Sequence, residues 1–211
     1  MSDWRASGTA TGVAVLAAAA LWCVLFSPWT QGWVNFWLGM TLAAGLLTAA
    51  AVWLERRELR DRLHWRPVYL AVGLVSAALL YALFVAGDRV GRAILPFAGD
   101  EIAAVYARRD TTSPVLIGAL LFAWIGPAEE IFWRGFLQHR LARRWGGARG
   151  YLLAGALYAA VHLWAGNLML FLSALLCGLF WGAVYRRWGS LWPGILSHAV
   201  WDVLVFVIAP I

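Results

Sequence analysis

Apolar residues run in long blocks along this chain, separated by short polar stretches, and do not alternate with polar residues at helix-face or strand spacing. Blocks of that kind predict helices apolar on every side, long enough at about 1.5 Å per residue to approach or cross a bilayer. Seven of them cover residues 9–26, 33–54, 68–86, 114–140, 151–164, 168–185 and 191–208, so the expected fold class is all-α, a polytopic transmembrane helix bundle of about seven spans. Pro114 suits the first turn of span four, whereas Pro127 should kink or restart that helix. Gly166 and Asn167 turn span five into span six, and the long loop 88–113 has room for a short interfacial helix around residues 100–109. The polar start with Asp3 and Arg5 before an apolar run also has the form of a cleaved signal peptide, but a second apolar block follows where a soluble domain would begin, so an uncleaved anchor is expected.

Composition agrees with a membrane protein: of 211 residues 63% are hydrophobic and 13% charged, with 15 tryptophans and a mean hydropathy of +0.71. The net charge of +6 comes from arginine alone, and the arginines sit between apolar blocks. When the spans simply alternate, Arg5, the run from Arg56 to Arg66, the run from Arg140 to Arg149 and the pair Arg186 and Arg187 all fall on one side. By the positive-inside rule that side is cytoplasmic, which puts the N-terminus there and the chain end opposite; the expected location is a bacterial-type inner membrane. These arginines read as topology signals, and no nucleic-acid surface is expected. In the loop 88–113 four arginines are offset by Asp88, Asp100, Glu101 and Asp110. Trp29, Trp33, Trp53, Trp65, Trp188 and Trp192 lie near block ends, as interfacial anchors do. His64 and His139 flank basic loops and read as surface residues, and Cys23 and Cys177 have no partner spacing for a disulfide or metal knuckle. With no repeat or linker, one membrane domain is expected over residues 1–211, its first part, 1–113, serving as scaffold or substrate access.

Setting aside loop and block-end residues leaves six ionisable side chains at membrane depth: Glu129, Glu130 and Arg134 in span four, His162 in span five, and His198 and Asp202 in span seven. Four formal charges at about 3 kcal/mol each would cost about 12 kcal/mol facing lipid, so these side chains must face one another or a wet cavity. Glu130 and Arg134 are four residues apart on one helix face, as are His198 and Asp202. Glu129 is rotated by about 100° and is free to point at a different partner. Two adjacent carboxylates do not easily both ionise in a poor dielectric; pairing with Arg134 favours the charge on Glu130 and leaves Glu129 as the carboxyl able to exchange a proton, the behaviour of a general base. Taken singly, each unit has a plainer reading: a structural ion pair, a satisfied interhelical histidine, or an orienting hydrogen bond. Their coincidence points to a reaction centre on spans four, five and seven.

The same residues resemble the CPBP family of intramembrane proteases, the CAAX-protease and bacteriocin-processing group with its Rce1-like endopeptidases. The Glu-Glu-x-x-x-Arg motif is matched by Glu129, Glu130 and Arg134, continuing into Gly135, Phe136 and Leu137; the aromatic-x-x-x-His motif by Tyr158 and His162; and the His-x-x-x-Asn motif by His198 and Asp202. The resemblance covers about residues 114–208. It implies a metal-free glutamic endopeptidase with no cofactor, in which Glu129 and His162 activate water, Glu130 and Arg134 hold the site, and His198 with residue 202 stabilises the oxyanion or orients the site. Its partners would be a membrane-associated protein or peptide substrate and the lipid bilayer. Two positions depart from the pattern. Asp202 stands where an asparagine would donate to the oxyanion, and its expected role is to accept from His198 and keep that imidazole oriented. Tyr158 replaces phenylalanine, and its hydroxyl needs a partner, for which cavity water is the expectation. Zinc held by Glu129, His162 and His198 is the rival chemistry, although no His-Glu-x-x-His spacing is present. A non-catalytic proton-coupled transporter or immunity-type binder is the alternative outside enzymology.

Overall fold

The computed structural model describes residues 2–211; the side chains of residues 2–7, 110 and 111 lie outside the described set, and with them the charges of Asp3, Arg5 and Asp110 used in the topology reading. Eight helices follow in order among the described residues: α1 (Ser2–Phe26), α2 (Phe36–Arg62), α3 (Val68–Ile94), α4 (Ala98–Tyr106), α5 (Pro114–Trp145), α6 (Gly147–Ala160), α7 (Leu168–Trp188) and α8 (Trp192–Ile208). Five of them, α1 over Gly8–Phe26, α2, α3, α5 and α7, are long and apolar enough to cross a membrane. The other two apolar blocks form the shorter helices α6, extended by the tight turn Val161–Ala165, and α8. All seven apolar blocks are therefore helical, and α4 is the short helix expected in the long loop.

Two local expectations need correction. Residues 55–62 are not a loop: α2 continues through them to Arg62, with a kink at Glu55 (φ −139°, ψ 34°), and Glu55 and Arg62 are buried. Burial is possible because the carboxylate bridges two guanidiniums, Arg62 Nη1 at 3.0 Å and Arg140 Nε at 2.5 Å. Nor does Pro127 restart its helix. The chain stays helical through Gly126 (φ −57°, ψ −52°) and Glu130 (φ −63°, ψ −39°), and the strain is absorbed by widening the coil. Leu121–Ile125 and Glu130–Gln138 adopt π-helical bonding on either side of a four-residue α segment, Gly126–Glu129. A wider turn accommodates the proline's missing N–H and its bulk against the preceding turn.

α5 occupies the centre, and from Glu130 to Gln138 only Ile131 escapes full burial. α8 lies along α3, α6 against α7, and α1 against α2 and the Val161–Ala165 turn. The basic helix ends gather at one end of the bundle, as simple alternation requires. Arg62 O accepts from Leu191 N at 2.8 Å, Leu63 O from the Trp192 indole at 2.9 Å, and His64 O from the Ser190 hydroxyl at 2.8 Å. Near the opposite end, Glu101 of α4 accepts from Met169 N at 2.8 Å, and its backbone carbonyl accepts from Asn167 Nδ2 at the same distance. The carboxylate of α4 thereby caps the start of α7, whose first amides have no partner within the helix.

Candidate active site

Glu129 and Glu130 leave α5 in different directions, as adjacent positions on a helix must. Glu130 turns toward α8: its Oε1 meets Arg134 Nη1 at 2.9 Å and His198 Nδ1 at 3.0 Å. Its second oxygen faces Gly194, where a Cβ would come within 2.6 Å of it, and has no hydrogen-bond partner among the described residues. Only a glycine at 194 lets α8 approach this carboxylate so closely. Arg134, itself buried, also donates through Nη2 to the carbonyls of Cys177 at 3.2 Å and Gly178 at 3.4 Å. Its guanidinium lies between two aromatic rings, 4.8 Å from the Tyr158 centroid and 5.4 Å from that of Trp181. A planar, weakly hydrated cation suits that slot in a way an ammonium would not.

Glu129 instead lines a cavity of about 130 Å³ together with Tyr158, His162, His198 and Asp202. Its Oε2 accepts from the Tyr158 hydroxyl at 2.9 Å, so the tyrosine's partner is the carboxylate itself where cavity water was expected. His162 is held at both ring nitrogens: Nδ1 lies 2.8 Å from the Tyr158 carbonyl and Nε2 is 3.2 Å from the Trp22 indole nitrogen. A carbonyl only accepts and an indole N–H only donates, so this ring is the neutral tautomer with its proton on Nδ1. His198 stacks on Trp181 at 3.7 Å and 17°, and its Nε2 faces Asp202 Oδ2 at 3.6 Å. That spacing is beyond a hydrogen bond but close enough for the carboxylate to orient the ring electrostatically.

All six residues singled out from the sequence thus meet in one place, with Glu130 and Arg134 behind the cavity wall and the other four lining it. The sequence reading missed two contributions. The first half of the chain closes the cavity, through Phe26, Phe36 and Arg108, whose guanidinium lies 5.3 Å from both phenylalanine rings, and it supplies Trp22, which holds His162. Span six supplies Trp181 and the two carbonyls that hold Arg134. Trp22 and Trp181 each lie one helical turn from the end of an apolar block, where the sequence does not distinguish them from interfacial anchors, and both are fully buried. Glu129, His162 and His198 line the same cavity, but no three His, Cys, Asp or Glu side chains among the described residues are grouped as an ion's ligands would be, and His162 Nε2 is engaged by Trp22. The acid-base groups lining the cavity can accept, hold and return a proton beside a small, partly open space.

No curated protein and no solved structure matches the chain. Residues 110–204, which contain all six of these side chains, match the family described as type II CAAX prenyl endopeptidase, Rce1-like, and this stretch of the chain is accordingly a member of the CPBP (CAAX-protease) family of intramembrane endopeptidases.

Proposed function

We propose that the chain is a metal-free, glutamic-type intramembrane endopeptidase that cleaves a membrane-associated protein or peptide. The observation that carries this reading is the division of labour between the adjacent glutamates: Glu130 is locked to Arg134 and His198, while Glu129 faces the cavity with one hydroxyl donor. A water in that cavity gives a proton to Glu129 and attacks the scissile carbonyl; Glu129 then returns the proton to the departing amine, so the base of the first step is the acid of the second. The Tyr158 hydroxyl orients the carboxylate. His162 assists water activation by exchanging the Trp22 indole for the water at Nε2. His198, held between Glu130 and Asp202, presents positive charge toward the developing oxyanion, and Asp202 orients it without itself donating.

Residues 1–211 act as one membrane unit in this reading, with the first two spans and the segment around Val105 and Arg108 closing the cavity. The cavity reaches Arg108, at the end of the bundle opposite the arginine-rich helix ends. With the arginine-rich end cytoplasmic in a bacterial inner membrane, substrate enters from the Arg108 side. The test is a mass-spectrometric comparison of membrane-protein termini in cells producing the unmodified chain or Glu129→Gln at equal abundance. New termini that appear only with the unmodified chain, on the Arg108 side of their substrates, are the expected result. Identical profiles would remove the protease reading.

A further inference from the structure

His198 is the group that meets the developing oxyanion in the proposed reaction, yet its polar contacts alone do not fix it. Nδ1 is tied to Glu130 Oε1 at 3.0 Å, while Nε2 stands 3.6 Å from Asp202 Oδ2, beyond a hydrogen bond. A ring held at one nitrogen can still tilt about that bond. What stops it lies on α7: the indole of Trp181 covers one face of the imidazole, with centroids 3.7 Å apart and planes 17° from parallel. That is face-to-face van der Waals contact, so the imidazole cannot tilt toward α7 unless the indole moves first.

The indole is itself held in place. Trp181 is fully buried, its Nε1 donates to Ser197 Oγ at 3.1 Å, and the ring of Trp201 packs edge-on against it at 5.6 Å and 78°. Ser197, also fully buried, directly precedes His198, so the indole is tied to the same turn of α8 whose imidazole it covers. The form of the stack carries information about charge. Two neutral aromatic rings avoid a direct face-to-face sandwich and settle offset or edge-on, with centroids about 4.5–7 Å apart, whereas a cation is drawn onto the face of an indole. The parallel contact therefore suits a charged His198, and the Arg134 guanidinium lies 5.4 Å from the centroid of the same indole. We propose that Trp181, locked by Ser197, is a positioning residue of the reaction: it fixes the plane of the charged His198 and keeps that charge on the cavity that both side chains line. The role rests on the proteolytic reading; the stack does not.

The test joins nuclear magnetic resonance of the full chain in detergent, isotope-labelled at histidine, to cleavage kinetics on a substrate found by the terminus comparison. His198→Gln identifies the His198 ring signals. In the unmodified chain those ring protons should be shifted upfield by the indole they lie against; the shift should persist in part in Trp181→Phe and vanish in Trp181→Leu. Trp181→Leu should lower kcat about thirtyfold with KM little changed, because His198 acts on charge that develops only in the transition state. Trp181→Phe, which keeps an aromatic face, should recover most of that loss. Ser197→Ala, which frees the indole but leaves its face in place, should lower kcat about threefold. If Trp181→Leu does not fold, Trp181→Phe and Ser197→Ala carry the comparison. A His198 signal with no upfield shift would overturn the stack and the proposal with it, whether or not the chain cleaves anything. The shift present but kcat unchanged in Trp181→Leu and Ser197→Ala, or a change in KM alone, would overturn the positioning role. The shift present in a chain that cleaves nothing would instead remove the proteolytic reading, and the role with it.

Discussion

At the scale of single residues, the neighbours of two adjacent glutamates decide what each can do. Glu129→Gln keeps the shape and can still accept from Tyr158, but it cannot take a proton from water. Cleavage should fall by about 10²–10⁴-fold with little change in the unfolding midpoint, measured on a substrate found by the terminus comparison. Tyr158→Phe removes the 2.9 Å bond to Glu129 while leaving the ring beside Arg134. A hydrogen bond to a charged acceptor contributes about 1.5–3 kcal/mol, so the proposed mechanism expects kcat/KM to drop about tenfold or more. Unchanged kcat/KM in this variant would take the hydroxyl out of the mechanism. Arg134→Ala strands the buried Glu130 carboxylate and should destabilise the fold by about 3–5 kcal/mol, seen as loss of detergent-resistant folded protein. Arg134→Lys should rescue it poorly, because an ammonium cannot fill the slot between Tyr158 and Trp181 while reaching both carbonyls.

At the scale of elements, α5 and α8 approach through glycine. A methyl group at Gly194 would press on Glu130 Oε2, an atom whose partner oxygen is fixed by Arg134 and His198. Gly194→Ala is expected to impair cleavage more than stability by separating Glu130 from His198, and paired activity and thermal-unfolding measurements check this. Gly150→Ala is expected to behave in the opposite way. Its Cβ would lie 2.2 Å from Ala142 N, a backbone atom that cannot swing aside, so the α5–α6 corner must open and folded yield should collapse. The widened coil of α5 belongs to this scale too. It was not legible from Pro127, because a proline dictates only that a normal turn cannot pass through it, and the neighbouring helices decide between a kink and a redistribution of hydrogen bonds.

At the scale of the whole molecule, the Trp22 indole and His162 join the first helix to the stretch that carries the family motifs. Their coupling can be measured by a double-mutant cycle with Trp22→Phe and His162→Phe. The single changes should each destabilise by about 1–3 kcal/mol, and the pair by less than their sum, with a coupling of about 1 kcal/mol. Additive effects would mean that α1 does not hold this histidine. At the other end, Glu55, Arg62 and Arg140 join α2 to α5. The sequence concealed this ion group because it lies in a stretch so rich in arginine that each charge has a satisfactory explanation as a topology signal.

The sequence by itself determined the helical architecture, the clustering of basic ends and which six ionisable side chains meet within the bundle. Each follows from a cost that must be met in any membrane fold: backbone amides need partners within their own segment, and charges at depth need one another. Spacing along one helix was enough to pair Glu130 with Arg134, since that neighbour relation is local. Tertiary structure alone decided that Tyr158 serves Glu129, that Trp22 occupies His162, that Asp202 stands off from His198 by 3.6 Å, and that Glu55 and Arg62 are buried. Those are relations between helices far apart in the chain, set by their rotation and depth, and no periodicity along a single segment encodes them.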